Sequence, residues 1–255
     1  MTSVDLNCDM GESFGAYRMG ADEAIFPFIT SANIACGFHG GDPGVMRRSI
    51  ALAREHGVAV GAHPGLPDLA GFGRRAMDVT AEQVYDMVVY QMGALAGFAA
   101  AAGLRLQHVK PHGALYNMAA QRAELAAAIA QAVHDVDRGL VLFGLAGSHL
   151  IDAGQAAGLR TASEAFADRN YMRDGSLVSR RRPDAMVNDA DEAAQRALRM
   201  VREGCVCSVE GDDVAIRAET ICIHGDGTNA VIFARRLRSE LEEVGITVRA
   251  VGRGG

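Results

Sequence analysis

Short β-rich apolar runs take turns along the chain with longer stretches in which apolar residues recur every three or four positions. The first pattern predicts strands over residues 3–8, 31–36, 58–62, 106–110, 140–145, 160–162, 205–209, 219–224 and 246–251. The second predicts helices over 43–56, 80–102, 119–136, 148–157, 190–202 and 228–244, with a further apolar segment at 21–28. The punctuation agrees: Gly57 and Gly103 follow two of these helices, and Thr80 with Gln83 forms a capping box before the second. Strand–helix alternation implies an α/β fold with a mainly parallel sheet covered by helices, either open and doubly wound or closed into a barrel. The length of 255 residues favours the barrel, whose usual size is about 250 residues. No linker, composition shift or internal repeat divides the chain, so residues 1–255 are expected to form a single (β/α)-barrel domain.

Residues two apart in a strand share a face. In the first strand this separates Asp5, Asn7 and Asp9 from Val4, Leu6 and Cys8. The apolar set suits packing against helices, which turns the polar set inward. Carboxylates in a barrel interior are costly unless a cation, donors or a shared proton offsets them. Asp5-x-Asn7-x-Asp9, continuing to Glu12, therefore reads as a site, with a structural network as the alternative for Asp5. Leu106, His108, Lys110 and His112 share one face further on, as do Cys222, His224 and Asp226. His39, His63, His112 and His224 each follow a different strand, and active sites of parallel barrels lie on that C-terminal rim. His56, His134 and His149 fall on helices or loops and read as ordinary surface residues. Arg74, Arg75 and the run Arg180-Arg181-Arg182 suit carboxylate or phosphate clamping, or a solvated face. Gly71-Phe72-Gly73 is a weak echo of a dinucleotide loop, and no GxSxG nucleophile elbow is present.

Composition narrows the function classes. A net charge of −6 disfavours nucleic acid or an anionic membrane as the main partner. No run of about 18 uninterrupted apolar residues and no basic-then-apolar leader is visible, so the expectation is a cytoplasmic protein. The five cysteines, Cys8, Cys36, Cys205, Cys207 and Cys222, lie in apolar strand-like runs and are expected to be reduced structural thiols. Twenty-four arginines accompany a single lysine, Lys110. The one position that keeps an amine is a candidate for chemistry, and Pro111 after it excludes a phosphate-binding P-loop.

Several long motifs resemble a known family. They are Asp5-Leu6-Asn7-Cys8-Asp9-Met10-Gly11-Glu12, Asn33-Ile34-Ala35-Cys36-Gly37-Phe38-His39, Gly61-Ala62-His63-Pro64-Gly65 and Val109-Lys110-Pro111-His112-Gly113-Ala114-Leu115-Tyr116-Asn117. Glu164-Ala165-Phe166-Ala167-Asp168-Arg169 and His224-Gly225-Asp226 continue the likeness, which spans essentially the whole chain. Together they resemble the LamB/YcsF-type lactam-utilisation family. That resemblance implies an irregular (β/α) barrel of about seven strands, of glycoside hydrolase/deacetylase-like type. It also implies the A subunit of the bacterial ATP-dependent 5-oxoprolinase, acting with subunits B and C. The implied reaction opens the lactam of 5-oxo-L-proline to L-glutamate, coupled to hydrolysis of ATP, which binds with Mg²⁺.

A five-membered lactam is a stable amide, so phosphorylating its oxygen turns a poor electrophile into a good one. The chemistry needs a cation near the transferred phosphoryl, a base for water and an acid for the leaving nitrogen. On this reading Lys110 takes the phosphoryl or oxyanion role, Asp9 or Asp226 the base role, and His112 or His224 the acid role. Asn7, Glu12, Asn33, His39 and Arg75 would bind substrate. Replacing Lys110 with Met is expected to abolish turnover with folding intact. No nucleotide-binding signature is visible, so the partners would complete the ATP surface. The runner-up is a stand-alone metal-dependent amidohydrolase or deacetylase, with Asp9, His39 and His63 as divalent-metal ligands. A non-catalytic lactam-binding subunit is a third reading, disfavoured by the density of inward ionisable residues.

Overall fold

The structure is a computed structural model that describes residues 2–223 and 230–252. In chain order the elements begin with β1 (Ser3–Met10), α1 (Asp22–Ile25), a 3₁₀ turn (Phe26–Phe28), β2 (Ser31–Ala35), α2 (Pro43–His56) and β3 (Ala59–His63). Next come α3 (Ala81–Ala101), β4 (His108–Val109), α4 (Gly113–Gln121), α5 (Ala123–Val136), β5 (Val141–Leu145), α6 (His149–Ala156) and β6 (Arg160–Phe166). The chain ends with α7 (Ala190–Glu203), β7 (Cys205–Cys207), β8 (Asp213–Ala215), β9 (Thr220–Ile223), α8 (Ala230–Glu243) and β10 (Thr247–Val248). Strands β1 to β6 and β9 pair in parallel in that order, and β9 pairs back onto β1, closing a seven-stranded barrel. Strand β10 lies beside the start of β1, and β7 and β8 form an antiparallel hairpin outside the ring.

The barrel closes with polar residues inside because strand parity demands it. Leu6, Cys8 and Met10 point outward from β1 into the core with Ile25, Phe26, Ile34 and Ile50. Fully burying each large apolar side chain contributes roughly 1.5–3 kcal/mol. Local signals set the helix ends. Asp42 caps α2 by accepting from Val45 N at 2.8 Å, Pro43 takes the first turn, and Gly57 closes it in the left-handed region at φ 66°. The expected capping box of Thr80 and Gln83 opens α3. By length and composition α3 could cross a membrane, but Val84, Val88, Met92, Leu95 and Ala99 on one face pack into the core.

Several element boundaries differ from expectation, and the strand predicted over 246–251 shortens to β10. The strand predicted over 106–110 narrows to β4, although Gln107 N and Lys110 N still bond to Val60 O and Ala62 O. The helix predicted over 119–136 starts earlier, at Gly113, and breaks at Arg122, where the backbone extends to φ −120° and ψ 104°. The short strand predicted over 160–162 runs on to Phe166. The run at 205–209 forms no barrel strand; it pairs with β8.

Candidate active site

The C-terminal ends of the parallel strands deliver the polar residues, as expected for this architecture. Along one row of the barrel Asp9 lies opposite Asn33, Asn33 opposite Gly61, and Gly61 opposite His108. Gly61 is a glycine because a Cβ there would overlap the His108 imidazole, which crosses the barrel to bond Asn33 Oδ1 at 2.8 Å. Deeper in, Asp5 accepts from Thr30 and Ser31 at 2.6 and 2.7 Å and from Thr220 at 2.5 Å. Burial raises the Asp5 carboxyl to about 6 despite these three hydroxyl donors. Asp5 is thus a cross-strand structural tie.

Lys110 stands at the centre of the next layer. Its Nζ lies 2.9 Å from Asp9 Oδ1, 2.9 Å from Glu164 Oε1, 3.1 Å from Asn7 Oδ1 and 3.0 Å from Cys222 Sγ. Burial alone would push its ammonium towards neutrality, yet the Asp9 and Glu164 carboxylates hold its pKa well above the ordinary lysine value. Phe166 covers the ammonium at 5.5 Å. The surroundings are tied down in turn. Asn7 Nδ2 donates to Glu164 Oε1 at 2.9 Å and Thr220 Oγ1 at 2.7 Å, and Asn33 Nδ2 donates to Asn7 Oδ1 and Asp9 Oδ1 at 2.7 and 2.9 Å. Tyr116 Oη donates to Glu164 Oε2 at 2.7 Å. Burial raises the Cys222 thiol well above its usual value, so it meets the ammonium as a neutral thiol. Removing one partner from such a buried group leaves uncompensated charge, so Lys110 is tied to folding.

A second cluster sits beside the first. Glu12, His39, His63 and His112 are buried, with ligand-type atoms all within 4.8 Å of one another. His63 Nε2 lies 3.4 Å from Asp9 Oδ2, so Asp9 touches both clusters. The His39 and His112 rings stack at 3.6 Å, and His63 stands edge-on to both. Burial holds His39 and His112 well below the ordinary histidine pKa, leaving both rings neutral. Gly73, at φ 62°, backs onto this stack: a Cβ there would sit 2.7 Å from His39 Cβ and 2.9 Å from His112 Cδ2.

Both clusters open to a cavity of about 560 Å³ lined by Asp9, His63, Lys110, His112, Tyr116 and Phe166. Its wall carries Arg74, Arg169, Arg180 and Arg181 together with Ser148. Arg169 is buried, which pushes its guanidinium down to about 10 with Arg180 adding to the effect, and Nη2 donates to Val178 O at 2.6 Å. Ser148 Oγ is buried with no hydrogen-bonding partner among the described residues.

Of the residues singled out from sequence, Asn7, Asp9, Glu12, Asn33, His39, His63, Lys110 and His112 come together here. Arg75 does not: its side chain is exposed and bonds Asp68, while Arg74 faces the cavity. His224 and Asp226 lie outside the described residues. The metal trio Asp9, His39 and His63 is joined by Glu12 and His112, and it is these two with His39 and His63 that form the metal-type group. Glu164, Tyr116 and Cys222 carry more of the lysine's environment than their sequence context suggested. Glu164 follows Ala162 at strand spacing, which is the signal that would have placed it inside.

Comparison with known proteins places the chain among relatives of similar sequence and fold. The A subunit of 5-oxoprolinase from Bacillus licheniformis is 62% identical over 250 residues, covering 98% of this chain and 99% of that protein. Its counterpart of the same name from Bordetella pertussis is 63% identical over 248 residues, covering 97% and 98%. The crystal structure of a lactam utilization protein from Thermus thermophilus superposes with a TM-score of 0.93 at 53% identity, covering 98% of this chain and all of that one. A family 4 carbohydrate esterase from Streptomyces lividans shares the barrel alone, at a TM-score of 0.53 and 12% identity over 98% of this chain and 93% of that one. The LamB/YcsF family model matches residues 4–254, and the chain belongs to the LamB/YcsF family.

Proposed function

We propose that the chain is the A subunit of an ATP-dependent 5-oxoprolinase and the catalytic domain in which the lactam of 5-oxo-L-proline is opened to L-glutamate. The observation that carries this reading is Lys110, the chain's one lysine, held charged by two carboxylates at the floor of an arginine-walled cavity. The arginines suit the substrate's carboxylate, and the buried Ser148 hydroxyl supplies a further polar contact. With the carboxylate on that wall, the lactam carbonyl points to the floor, where the Lys110 ammonium stabilises charge growing on its oxygen.

The overall change consumes one ATP and two waters. One water adds to the activated carbonyl carbon, and the C–N bond breaks as the ring nitrogen takes a proton. The second water releases phosphate from the acyl phosphate that remains. Asp9 takes the proton of the attacking water, because it lines the cavity and is held beside Lys110 by Asn33. The acid for the nitrogen is His224 rather than His112, whose neutral ring lines the cavity with its one N–H given to Phe72 O. Asn7, Asn33, His39 and Glu12 fix these groups, and Asp226 shares the base role in this scheme. ATP with Mg²⁺ binds at a surface completed by subunits B and C, in the cytoplasm.

Glutamate release from 5-oxo-L-proline tests the reading, measured for the chain alone and mixed with subunits B and C, with and without ATP and Mg²⁺. Release confined to the full mixture with ATP supports it. No release in any mixture overturns it.

A further inference from the structure

His63 and His112 face each other with the wrong nitrogens for an ordinary hydrogen bond. His63 Nδ1 lies 2.7 Å from Lys110 O, and His112 Nε2 lies 2.8 Å from Phe72 O. A carbonyl oxygen can only accept, so each of these nitrogens carries a proton. With no second proton on either ring, the remaining nitrogens, His63 Nε2 and His112 Nδ1, both present lone pairs 2.9 Å apart, with Asp9 Oδ2 3.4 Å from His63 Nε2. Two lone pairs at that distance repel unless a cation lies between them. Glu12 Oε1 approaches the same point, 3.5 Å from His112 Nδ1 and 3.5 Å from His39 Nε2. Neither His39 ring nitrogen has a hydrogen-bonding partner among the described residues, although the ring is fully buried.

We infer that His39 Nε2, His63 Nε2, His112 Nδ1 and Glu12 Oε1 bind one divalent transition-metal ion of the zinc class. Three imidazoles and a carboxylate are the donor types such ions take. Donation of the far ring nitrogen to a backbone carbonyl, seen for His63 and His112, is the supporting contact that orients metal-bound histidines. A shared proton would relieve the His63–His112 pair but would leave His39 unsatisfied; a metal ion satisfies all three rings. His63 and His112 line the cavity, which gives the ion an entry path. Bound there, the ion would polarise a carbonyl or lower the pKa of water beside Lys110.

The test uses no lactam, so its outcome is separate from that of the proposed reaction. The whole chain is stripped with chelator and dialysed against limiting Zn²⁺. Bound metal is then measured by mass spectrometry, and the melting temperature is followed with added Zn²⁺. In parallel, Co²⁺ is added and its visible d–d bands recorded. About one ion per chain, a raised melting temperature and Co²⁺ bands of a nitrogen/oxygen site are expected. His63→Ala with His112→Ala should weaken binding at least about 100-fold, while His149→Ala, at an exposed imidazole, leaves it unchanged. Should the double variant not fold, the wild-type Co²⁺ spectrum and stoichiometry decide alone. No stoichiometric metal and no thermal shift would mean that the pair merely shares a proton, and would overturn the inference. So would binding that survives in a folded double variant.

Discussion

Lys110→Met separates what the lysine does for folding from what it does for chemistry. The ammonium sits 2.9 Å from both Asp9 Oδ1 and Glu164 Oε1, and Lys110 and Glu164 are almost wholly shielded from water. Methionine fills similar volume but leaves buried Glu164 and half-buried Asp9 facing a thioether. Breaking a buried pair by removing one partner costs about 3–5 kcal/mol. For a chain of this size each kcal/mol shifts the melting temperature by about 2–4 °C, so a fall on the order of 10 °C is expected. The sign of its pH dependence follows from the same geometry. Without the cation, a proton taken up between the two carboxylates relieves the repulsion left between them. The variant's folded state then binds more protons, and the loss is smaller at pH 5 than at pH 8. Glu164→Gln in the Lys110→Met background removes one stranded charge and should restore part of the stability without restoring turnover. Thermal and urea unfolding across pH 5–8 read the stability, and glutamate release with subunits B and C reads the turnover. A Lys110→Met protein as stable as wild type at pH 8 would refute the charge argument. Normal turnover in it would remove Lys110 from the chemistry.

Asp5 and His108 bias stability in opposite directions. With its folded pKa raised to about 6, Asp5 binds a proton more tightly folded than unfolded, so stability falls as pH rises from about 4 to 6. Asp5→Asn should therefore gain up to about 3 kcal/mol above pH 6 and less at pH 4, read from urea midpoints; an equal loss at every pH would contradict this. Burial, with Lys110 and His63 adding, holds His108 down to about 3, so its contribution is present above pH 6.5 and lost as pH falls towards 3. His108→Gln should accordingly flatten acid unfolding in that window. Gly73→Ala combines a left-handed backbone with contact on the His39–His112 stack, and should cost about 1–3 kcal/mol in thermal unfolding. Tyr116→Phe strips the 2.7 Å bond from buried Glu164 and should cost about 1.5–3 kcal/mol, measured the same way.

The inward face of β1 could be seen in the sequence because a strand repeats every two residues. Asp5, Asn7 and Asp9 had to share one side once Leu6 and Cys8 claimed the other, and that alternation is what the barrel keeps. The histidines after β2, at the end of β3 and after β4 were visible for a related reason, since the rim of a parallel barrel is where such residues gather. The lysine's dependence on Glu164 was hidden. It arises from a closure between β6, β9 and β1, whose pairing brings Glu164, Thr220 and Asp5 into one layer. Nothing local marks that closure: Ser163 and Glu164 look like the polar end of a short strand unless its partners are known. The break at Arg122 has no glycine or proline beside it, so spacing alone reads one long helix there. Arg74 and Arg75 are adjacent and alike in sequence, and only the Asp68 carboxylate, which captures Arg75, decides which of them faces the cavity.

Asp9 joins the lysine layer to the imidazole cluster, with one oxygen 2.9 Å from Lys110 Nζ and the other 3.4 Å from His63 Nε2. Asp9→Asn is therefore the sharper probe of chemistry. Asparagine keeps the size of the side chain and its Oδ1 still accepts from Lys110 and Asn33, so both hydrogen bonds survive. Glu164 continues to neutralise the ammonium, and stability should change far less than in Lys110→Met. What asparagine cannot do is take a proton from water, and loss of a positioned general base lowers turnover by about 10²–10⁴-fold. The two variants should thus part company: both without glutamate release, but only Lys110→Met with a large fall in melting temperature. Asp9→Asn turning over within about tenfold of wild type would move the base role away from Asp9. A melting-temperature loss as large as that of Lys110→Met would show instead that the Asp9 charge, and not its hydrogen bonds, holds the lysine in place.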